Sequence, residues 1–388
     1  MTTCKSPLRV IILGLRGFPN VQGGVEKHVE NLAPLLVTRG CDVTVILRSP
    51  YMTRPRPREW HGVKFVHVWS PKSKSLEAIV HTFIGVVYAA IKRPDVLHIH
   101  AIGPALLVPF ARALGLRVVV THHGQDYVRQ KWGAVARATL RFGEYVGMRY
   151  SNARIAISRG IRSLIREKHG KESFLISNGV SVPQFVPPGK MLRELHLTQR
   201  RFVLLVSRLV PEKRHGDLLR AFRAAELPGW KLAIVGAADH PDEYAKKILE
   251  EIRRTPNAIA IGFQSGDALG ELYSNAGMFV LPSSHEGLPI ALLEALSYGL
   301  PSIASGIPAN LEVGLPVNCY FPVGDLQALS TCMRYVANAG QDDQDILERR
   351  KRVIEQYDWG EKASQTIDAY QQAMASVWST RPRNSSTA

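Results

Sequence analysis

The chain has few cysteines, and they are scattered: Cys4, Cys41, Cys319 and Cys332 in 388 residues, with no CxxC spacing. Neither a disulfide framework nor a zinc site is suggested, and a reducing cytosol is the expected compartment. Long apolar runs are also missing. The best candidate for a membrane segment, Ala78 to Ile91, spans 14 residues and contains His81. It falls short of the ~20 residues needed to cross a bilayer. At the N-terminus, MTTCKSPLRVIILGLRG carries an apolar stretch too short for a signal-peptide core, and it reads as a first strand.

The third scarcity is acidic charge in the first half. Residues 1–180 hold 27 Lys and Arg against 10 Asp and Glu, a balance of +17; the other 208 residues hold 22 against 23, or −1. Nearly all of the net +16 therefore belongs to the first half. Such a half implies an anionic partner, be it a nucleic acid, a lipid headgroup surface or a phosphorylated substrate; a merely solubilising surface is the plainer alternative. No basic patch interleaved with aromatics and no nucleic-acid-binding motif is present, so nucleic acid is not the expected partner.

What the chain does have is regular alternation. Hydrophobic content of 45% and charged content of 21% are ordinary for a globular protein, and the length suggests two domains. Short apolar runs read as strands at Leu8–Leu13, Asp42–Leu47, Lys64–Val68, Val96–His100, Arg117–Thr121 and Arg154–Ile157. A second series follows at Phe202–Val206, Lys231–Val235, Ala258–Ile261, Met278–Leu281 and Pro301–Ala304. Helical stretches separate them, which predicts parallel sheets buried on both faces and hence two doubly wound α/β domains. The expected division is a first domain over 1–182, a proline-rich linker over 183–200 and a second domain over 201–360. A C-terminal helix over 361–380, packing back on the first domain, and a disordered tail over 381–388 complete it.

In sheets of this kind ligands bind beyond the carboxyl ends of the strands. After the first strand comes GLRGFPNVQGGVEKH, too widely spaced for a GxGxxG fingerprint. Gly23 and Gly24 open the following helix, where bare amides can approach an anion or a sugar; a plain strand-to-helix turn is the alternative. After RVVVT comes HHGQDYVRQKW. It clusters His122, His123 and Asp126 at one sheet edge, suited to a polar ligand, with no third metal ligand identifiable by spacing. After RFVLLV, the SRLVPEK stretch puts Arg208 and Lys213 beyond the strand, a rigid fork and a point charge suited to a diphosphate. A solvated basic loop would look the same in isolation. The stretch HEGLPIALLEA holds two glutamates, Glu286 and Glu294, in an apolar setting where an unpaired carboxylate costs several kcal/mol, on the order of the burial penalty for a charge. Pro289 suits the first turn of a helix whose N-terminus faces the same crevice.

Taken together, the GG-x-E loop (Gly23, Gly24, Glu26), Asn178-Gly179-Val180, SRL-x3-K and the E-x7-E pair resemble the retaining GT-B glycosyltransferases of family 4, in the right order over nearly the whole chain. The resemblance implies a GT-B fold: two Rossmann-like domains facing a central cleft, the second holding a nucleotide-diphosphate sugar and the first an acceptor. It implies that Arg208 and Lys213 bind the donor diphosphate, that Glu294 accepts from the ribose hydroxyls, and that Glu286 accepts from the donor sugar. The backbone from Gly287 through Leu288 and Pro289 to Ile290 would complete that site, with amides from the non-proline residues and the base near Gly262 and Phe263. His122 or His123 would lie across the cleft near the reacting sugar, with Glu26 and Asp126 on the acceptor side. By the same resemblance the donor would be a UDP-, GDP- or dTDP-linked hexose, used as substrate without a cofactor or metal. The acceptor would be a glycan or lipid-linked sugar, reached by peripheral attachment to the cytoplasmic face of an anionic membrane through the basic half. Arg54–Glu59, Lys72, Lys74 and the region from Arg129 to Arg154 are the expected contacts. Asp343 and Asp345 form a DxD that reads as helix N-terminal charge. A non-hydrolysing nucleotide-sugar epimerase shares the architecture, but the E-x7-E pair fits it poorly; a basic nucleic-acid-binding protein is the non-enzyme alternative.

Overall fold

The computed structural model describes residues 6–52, 54–71, 77–128, 132–238, 242–340 and 342–375. Lys72, Lys74, Arg129, Lys131 and residues 376–388, which include the end of the expected C-terminal helix and the tail expected to be disordered, lie outside the described residues.

The first sheet is built from β1 (Leu8–Leu13), β2 (Cys41–Arg48), β3 (Glu59–Trp60), β4 (Val63–Val68), β5 (Val96–His100), β6 (Val118–His122), β7 (Ala153–Ala156) and β8 (Phe174–Leu175). Its helices are α1 (Gly24–Thr38), α2 (Glu77–Lys92), α3 (Val108–Ala113), α4 (Ala134–Tyr150) and α5 (Arg159–His169). The strand order is β3-β4-β2-β1-β5-β6-β7-β8, with β3 antiparallel to β4 and the other pairs parallel. After the short linker helix α6 (Lys190–Glu194), the second sheet uses β9 (Phe202–Val206), β10 (Lys231–Val235), β11 (Ala258–Gly262), β12 (Met278–Leu281), β13 (Ser302–Ser305) and β14 (Tyr320–Phe321). They lie in the order β11-β10-β9-β12-β13-β14, all parallel. Around them run α7 (His215–Ala225), α8 (Glu243–Arg254), α9 (Gly266–Asn275), α10 (Ile290–Ser297), α11 (Pro308–Leu311), α12 (Leu326–Ala339) and α13 (Asp343–Gln356).

Every strand expected from the sequence forms, with ends shifted by no more than one residue. The reason is burial on both faces: Val96, Leu97 and Ile99, or Phe202 to Leu205, are wholly enclosed, so these strands are continuous apolar runs and not alternating ones. The strands that the pattern does not reveal, β3, β8 and β14, have two residues each and no run to read.

Two chain crossings join the domains. The linker residues Gly189, Met191 and Leu192 donate their amides to the Glu271 carboxylate, which ties α6 onto α9 of the second domain. The return crossing is a bridge between Val180 and Asp358, with the Val180 amide 2.7 Å from the Tyr357 carbonyl. The helix α14 (Trp359–Ala375) then lies on α1 and on β5 to β7 of the first domain. It starts at Trp359, two residues ahead of the expected boundary, because Trp359 packs on Gly179 at the crossing itself. A Cβ on that glycine would lie 2.5 Å from the indole. Strand order reverses between β1 and β5 in one sheet and between β9 and β12 in the other, and the loop after β1 touches the loop after β10, where Gln22 Oε1 accepts the Ala237 amide.

Candidate functional site

On the second domain the site grows from the loops after β9 and β12. Lys213 closes a 3-10 turn, Pro211–Lys213, and its Nζ lies 2.5 Å from Glu286 Oε1 with both groups largely enclosed. The two loops are stitched together by Ser284, whose amide and hydroxyl donate to the Glu212 carbonyl at 2.9 and 3.3 Å. Arg208 is half-buried on the first of these loops. Pro289 is at the N-cap with ψ 100°, so α10 begins at Ile290, one residue later than a first-turn proline predicts. The first helical bond is Leu293 N–H to Pro289 O, which leaves the amides of Ile290, Ala291 and Leu292 without intrahelical acceptors. A positive dipole end and free donors thus stand beside Lys213 and Glu286. The Leu288 side chain is buried.

Glu294 is the fifth residue of α10, one turn in. Burial pushes its carboxyl upward; Lys27 across the cleft and a 3.3 Å hydrogen bond from the Tyr273 hydroxyl pull the other way, and Glu30 adds to the rise. Gly262 takes φ 76° at the end of β11 and accepts the Gly236 amide at 2.8 Å, and Phe263 beside it is exposed. Gly236 itself escapes sequence reasoning, though a glycine closing a strand is the signal. Its φ is 135°, and a Cβ there would stand 1.8 Å from the Ser207 carbonyl.

On the first domain, the loop after β1 folds over its own ion pair. Arg16 Nε donates to Glu26 Oε1 at 3.0 Å and its backbone amide to the same oxygen at 3.1 Å. Burial would raise Glu26, but the Arg16 charge and hydrogen bonds outweigh it and hold the carboxyl below its usual range. Glu26 thus shapes the loop. Gly23 must be glycine: φ is 154°, and a Cβ would meet the Glu26 carboxylate at 1.9 Å, whereas at Gly24 the space is open. From the same loop Gln22 Oε1 accepts the Ala237 amide at 3.0 Å, and Asn20 Oδ1 accepts from Ser265 at 2.8 Å, so the loop touches the second domain.

The two adjacent histidines part company. His122 points into the domain: Nε2 is 3.0 Å from Glu144 Oε1, and Nδ1 accepts the Gly124 amide at 3.1 Å. Burial would raise Glu144, but His122 and Lys168 hold it at about 2. With both nitrogens used and no exposed surface, His122 is not placed to meet a ligand. The residue that reaches the cleft is His123. A Cβ on Gly287 would lie 2.1 Å from the His123 carbonyl oxygen, and one on Gly124 would lie 3.5 Å from Gly287 Cα, so the domains meet here backbone to backbone. Asp126 opens a 3-10 turn, Asp126–Val128, just beyond.

Sequence reasoning names Asn178 only within a motif and misses His28 and His100, so the side-chain links between these parts are not foreseen. His28 Nδ1–H donates to Asn178 Oδ1 at 2.8 Å, and Asn178 Nδ2–H donates to the Leu288 carbonyl at 2.8 Å, which runs a relay from α1 across the crossing to the loop before α10. Burial, opposed by the Asn178 hydrogen bond, lowers His28 to about 4. His28, His100 and His123 bring ligand nitrogens within 4.8 Å of one another, the metal-compatible group among the described residues. His100 Nδ1 and His123 Nε2 are 2.9 Å apart and share a hydrogen, which occupies one ligand atom of each.

Comparison with known proteins bears on the family and the fold. Residues 22–183 match the family model described as Glycosyltransferase Family 4, and residues 190–349 match Glycosyl transferases group 1. The chain is 27% identical to an alpha-maltose-1-phosphate synthase of Mycobacterium tuberculosis, over 95% of this chain and 100% of that one. Among solved structures it superposes on a sucrose-phosphate synthase from Thermosynechococcus elongatus with TM-score 0.80, at 19% identity over 95% and 99% of the two chains. It also superposes on Anabaena HepE, solved with UDP and glucose, with TM-score 0.76 at 17% identity over 94% and 99%.

Proposed function

Because this chain is a glycosyltransferase of the GT-B type, we propose that it moves a hexose from a nucleotide-diphosphate sugar to a glycan or lipid-linked acceptor. Configuration is retained, and the product feeds bacterial cell-surface polysaccharide. The observation that carries this reading is the Lys213–Glu286 pair at the free N-terminus of α10, facing His123 across the cleft. In the ligand-free protein the two charges satisfy each other. A donor diphosphate takes Lys213 and Arg208 as counter-charges and the α10 amides as hydrogen-bond donors, while Glu286 turns to the hydroxyls of the sugar and Glu294 to those of the ribose. As the bond to the diphosphate breaks, these groups stabilise the charge on the leaving group in a cleft that excludes water, a route that requires no metal. No second carboxylate stands free as a nucleophile in this assignment, so the acceptor attacks from the leaving-group face and the departing phosphate takes its proton. The UDP and glucose found in HepE support a nucleotide-sugar donor class.

The acceptor side faces a membrane in this reading. Among the described residues no helix is long and apolar enough to cross one. α4 instead presents Val135, Phe142, Tyr145 and Tyr150 to solvent beside Arg137, Arg141 and Arg149, a composition suited to lying on an anionic lipid surface at the cytoplasmic face. A thermal-shift panel of UDP-, GDP- and dTDP-sugars tests the donor assignment, since a bound donor raises Tm by mass action. One nucleotide class should raise Tm, and Lys213→Ala should abolish that rise and lower kcat roughly 100- to 1000-fold. No shift with any nucleotide sugar, or a normal rate in Lys213→Ala, would overturn the reading.

A further inference from the structure

Four imidazoles crowd the floor of the cleft, and only one reaches it. His98 and His100 alternate on β5 and point to the same side, His28 stands over them from α1, and His123 follows β6. His98 is fully engaged, with Nδ1 2.8 Å from the Tyr370 hydroxyl and Nε2 2.7 Å from Thr121 Oγ1. Its ring lies 4.1 Å from that of His100 and holds it in place. His100 Nδ1 is 2.9 Å from His123 Nε2, and His100 Nε2 is buried with no partner.

One hydrogen lies between His100 and His123, and its owner decides what His123 offers a ligand. If His123 were the donor, neutral His100 would carry its own hydrogen on Nε2, as a buried N–H with nothing to accept it. If His100 is the donor, its Nε2 is a bare lone pair. His123, with Nε2 accepting, then carries its hydrogen on Nδ1. A buried orphan donor is rarer and costlier than an unfilled acceptor. The bare Nε2 of His28 does not rescue the first arrangement, because it makes no hydrogen bond to His100. Protonation of both rings does not rescue it either: burial first, then the neighbouring imidazoles, keeps His100 and His123 well below the ordinary histidine range.

We infer that His100 fixes His123 in its Nδ1–H tautomer, so that His123 meets the substrates as a hydrogen-bond donor. What it donates to, an oxygen of the transferred sugar or of the acceptor, rests on the glycosyl-transfer reading. His100 is then a positioning residue, acting through a ring it touches and never touching substrate.

The test is a long-range 15N–1H correlation spectrum of histidine-labelled protein, run beside steady-state kinetics. Wild type should show His123 protonated at Nδ1. His100→Phe removes the hydrogen bond to His123 Nε2 together with the unpartnered nitrogen, so Tm should change little while the His123 hydrogen is no longer held on Nδ1 and spreads to Nε2, and kcat falls roughly 10- to 100-fold. His100→Asn puts an amide N–H where Nδ1–H was, and should restore the tautomer and most of kcat. Wild-type His123 protonated at Nε2 would overturn the inference, as would a His100→Phe variant with unchanged tautomer and rate. If wild type transfers no sugar from any donor, the transfer reading fails, and the spectrum alone still decides what His100 does to His123.

Discussion

In the proposed site Glu294 trades stability for binding. Its carboxyl is pushed up by burial, only partly relieved by Lys27 and Tyr273. An acid whose folded pKa lies above its unfolded value holds its proton more tightly when folded. The folded state therefore loses stability as pH rises from the unfolded value of about 4.5 through the raised one, above which the penalty is complete. Glu294→Gln removes that penalty, so at pH 7 it should melt above wild type while binding donor more weakly. Wild-type donor affinity should also decline as pH falls through the raised pKa, and Glu294→Gln should lose that dependence. Calorimetric titration of the identified donor across pH, beside melting curves, checks both; equal donor affinity in the two proteins would remove Glu294 from the site. The E-x7-E spacing makes this glutamate legible in sequence. The choice between His122 and His123 was not, because it depends on Glu144, twenty-two residues away in sequence, claiming the first ring. His100 and Asn178 were harder still: their partners lie on other elements, and only the period-2 placement of His98 and His100 on β5 hints that both rings share a face.

Among the elements, strands were the legible part, since burial on both faces writes them as unbroken apolar runs. Loops that meet across the cleft were not, because their contacts run backbone to backbone and leave no pattern in residue type. Gly287 is the clearest case. As part of HEGLPIALLEA it reads as a donor-loop glycine, but the structure gives it a second duty, allowing the loop before α10 to close against the His123 carbonyl. Gly287→Ala places a methyl 2.1 Å from that oxygen, and backbone cannot yield as a flexible side chain can. The two domains have separate sheets, so each should still fold. The cleft should stand wider, with a larger radius of gyration by small-angle scattering and kcat/KM lower on the order of 100-fold, the scale of a misplacement near 1 Å. A variant with wild-type scattering and rate would show that this contact does not hold the closed geometry.

At the scale of the whole molecule, the two domains are built alike and charged unlike. The second is near neutral, which suits the proposed binding of one small anion by two cations and a helix end. The first carries +17, far more than any single substrate phosphate would require. Part of that charge is committed internally: Arg16 is paired with Glu26, Arg48 with Glu77, and Arg154 donates to the carbonyls of Met148 and Ser151. On α4, by contrast, Arg137, Arg141 and Arg149 lie at the surface among exposed Val135, Phe142, Tyr145 and Tyr150. α2, which packs on α3 as α4 does, also exposes Phe83, Ile84 and Ile91 with Lys92. An apolar strip carrying basic residues gains from both acyl-chain contact and anionic headgroups, with each cation contributing roughly 1 kcal/mol near such a surface. Sedimentation with vesicles of increasing phosphatidylglycerol content should therefore show binding that rises with anionic lipid and weakens as salt is raised. Arg137→Glu with Arg141→Glu should abolish it without lowering Tm, since both side chains are exposed. Phe142→Ser should weaken it even at low salt, because the apolar share is not screened. Equal binding to neutral and anionic vesicles at low salt, or none to either, would separate the basic half from any membrane role and leave its charge to the acceptor alone.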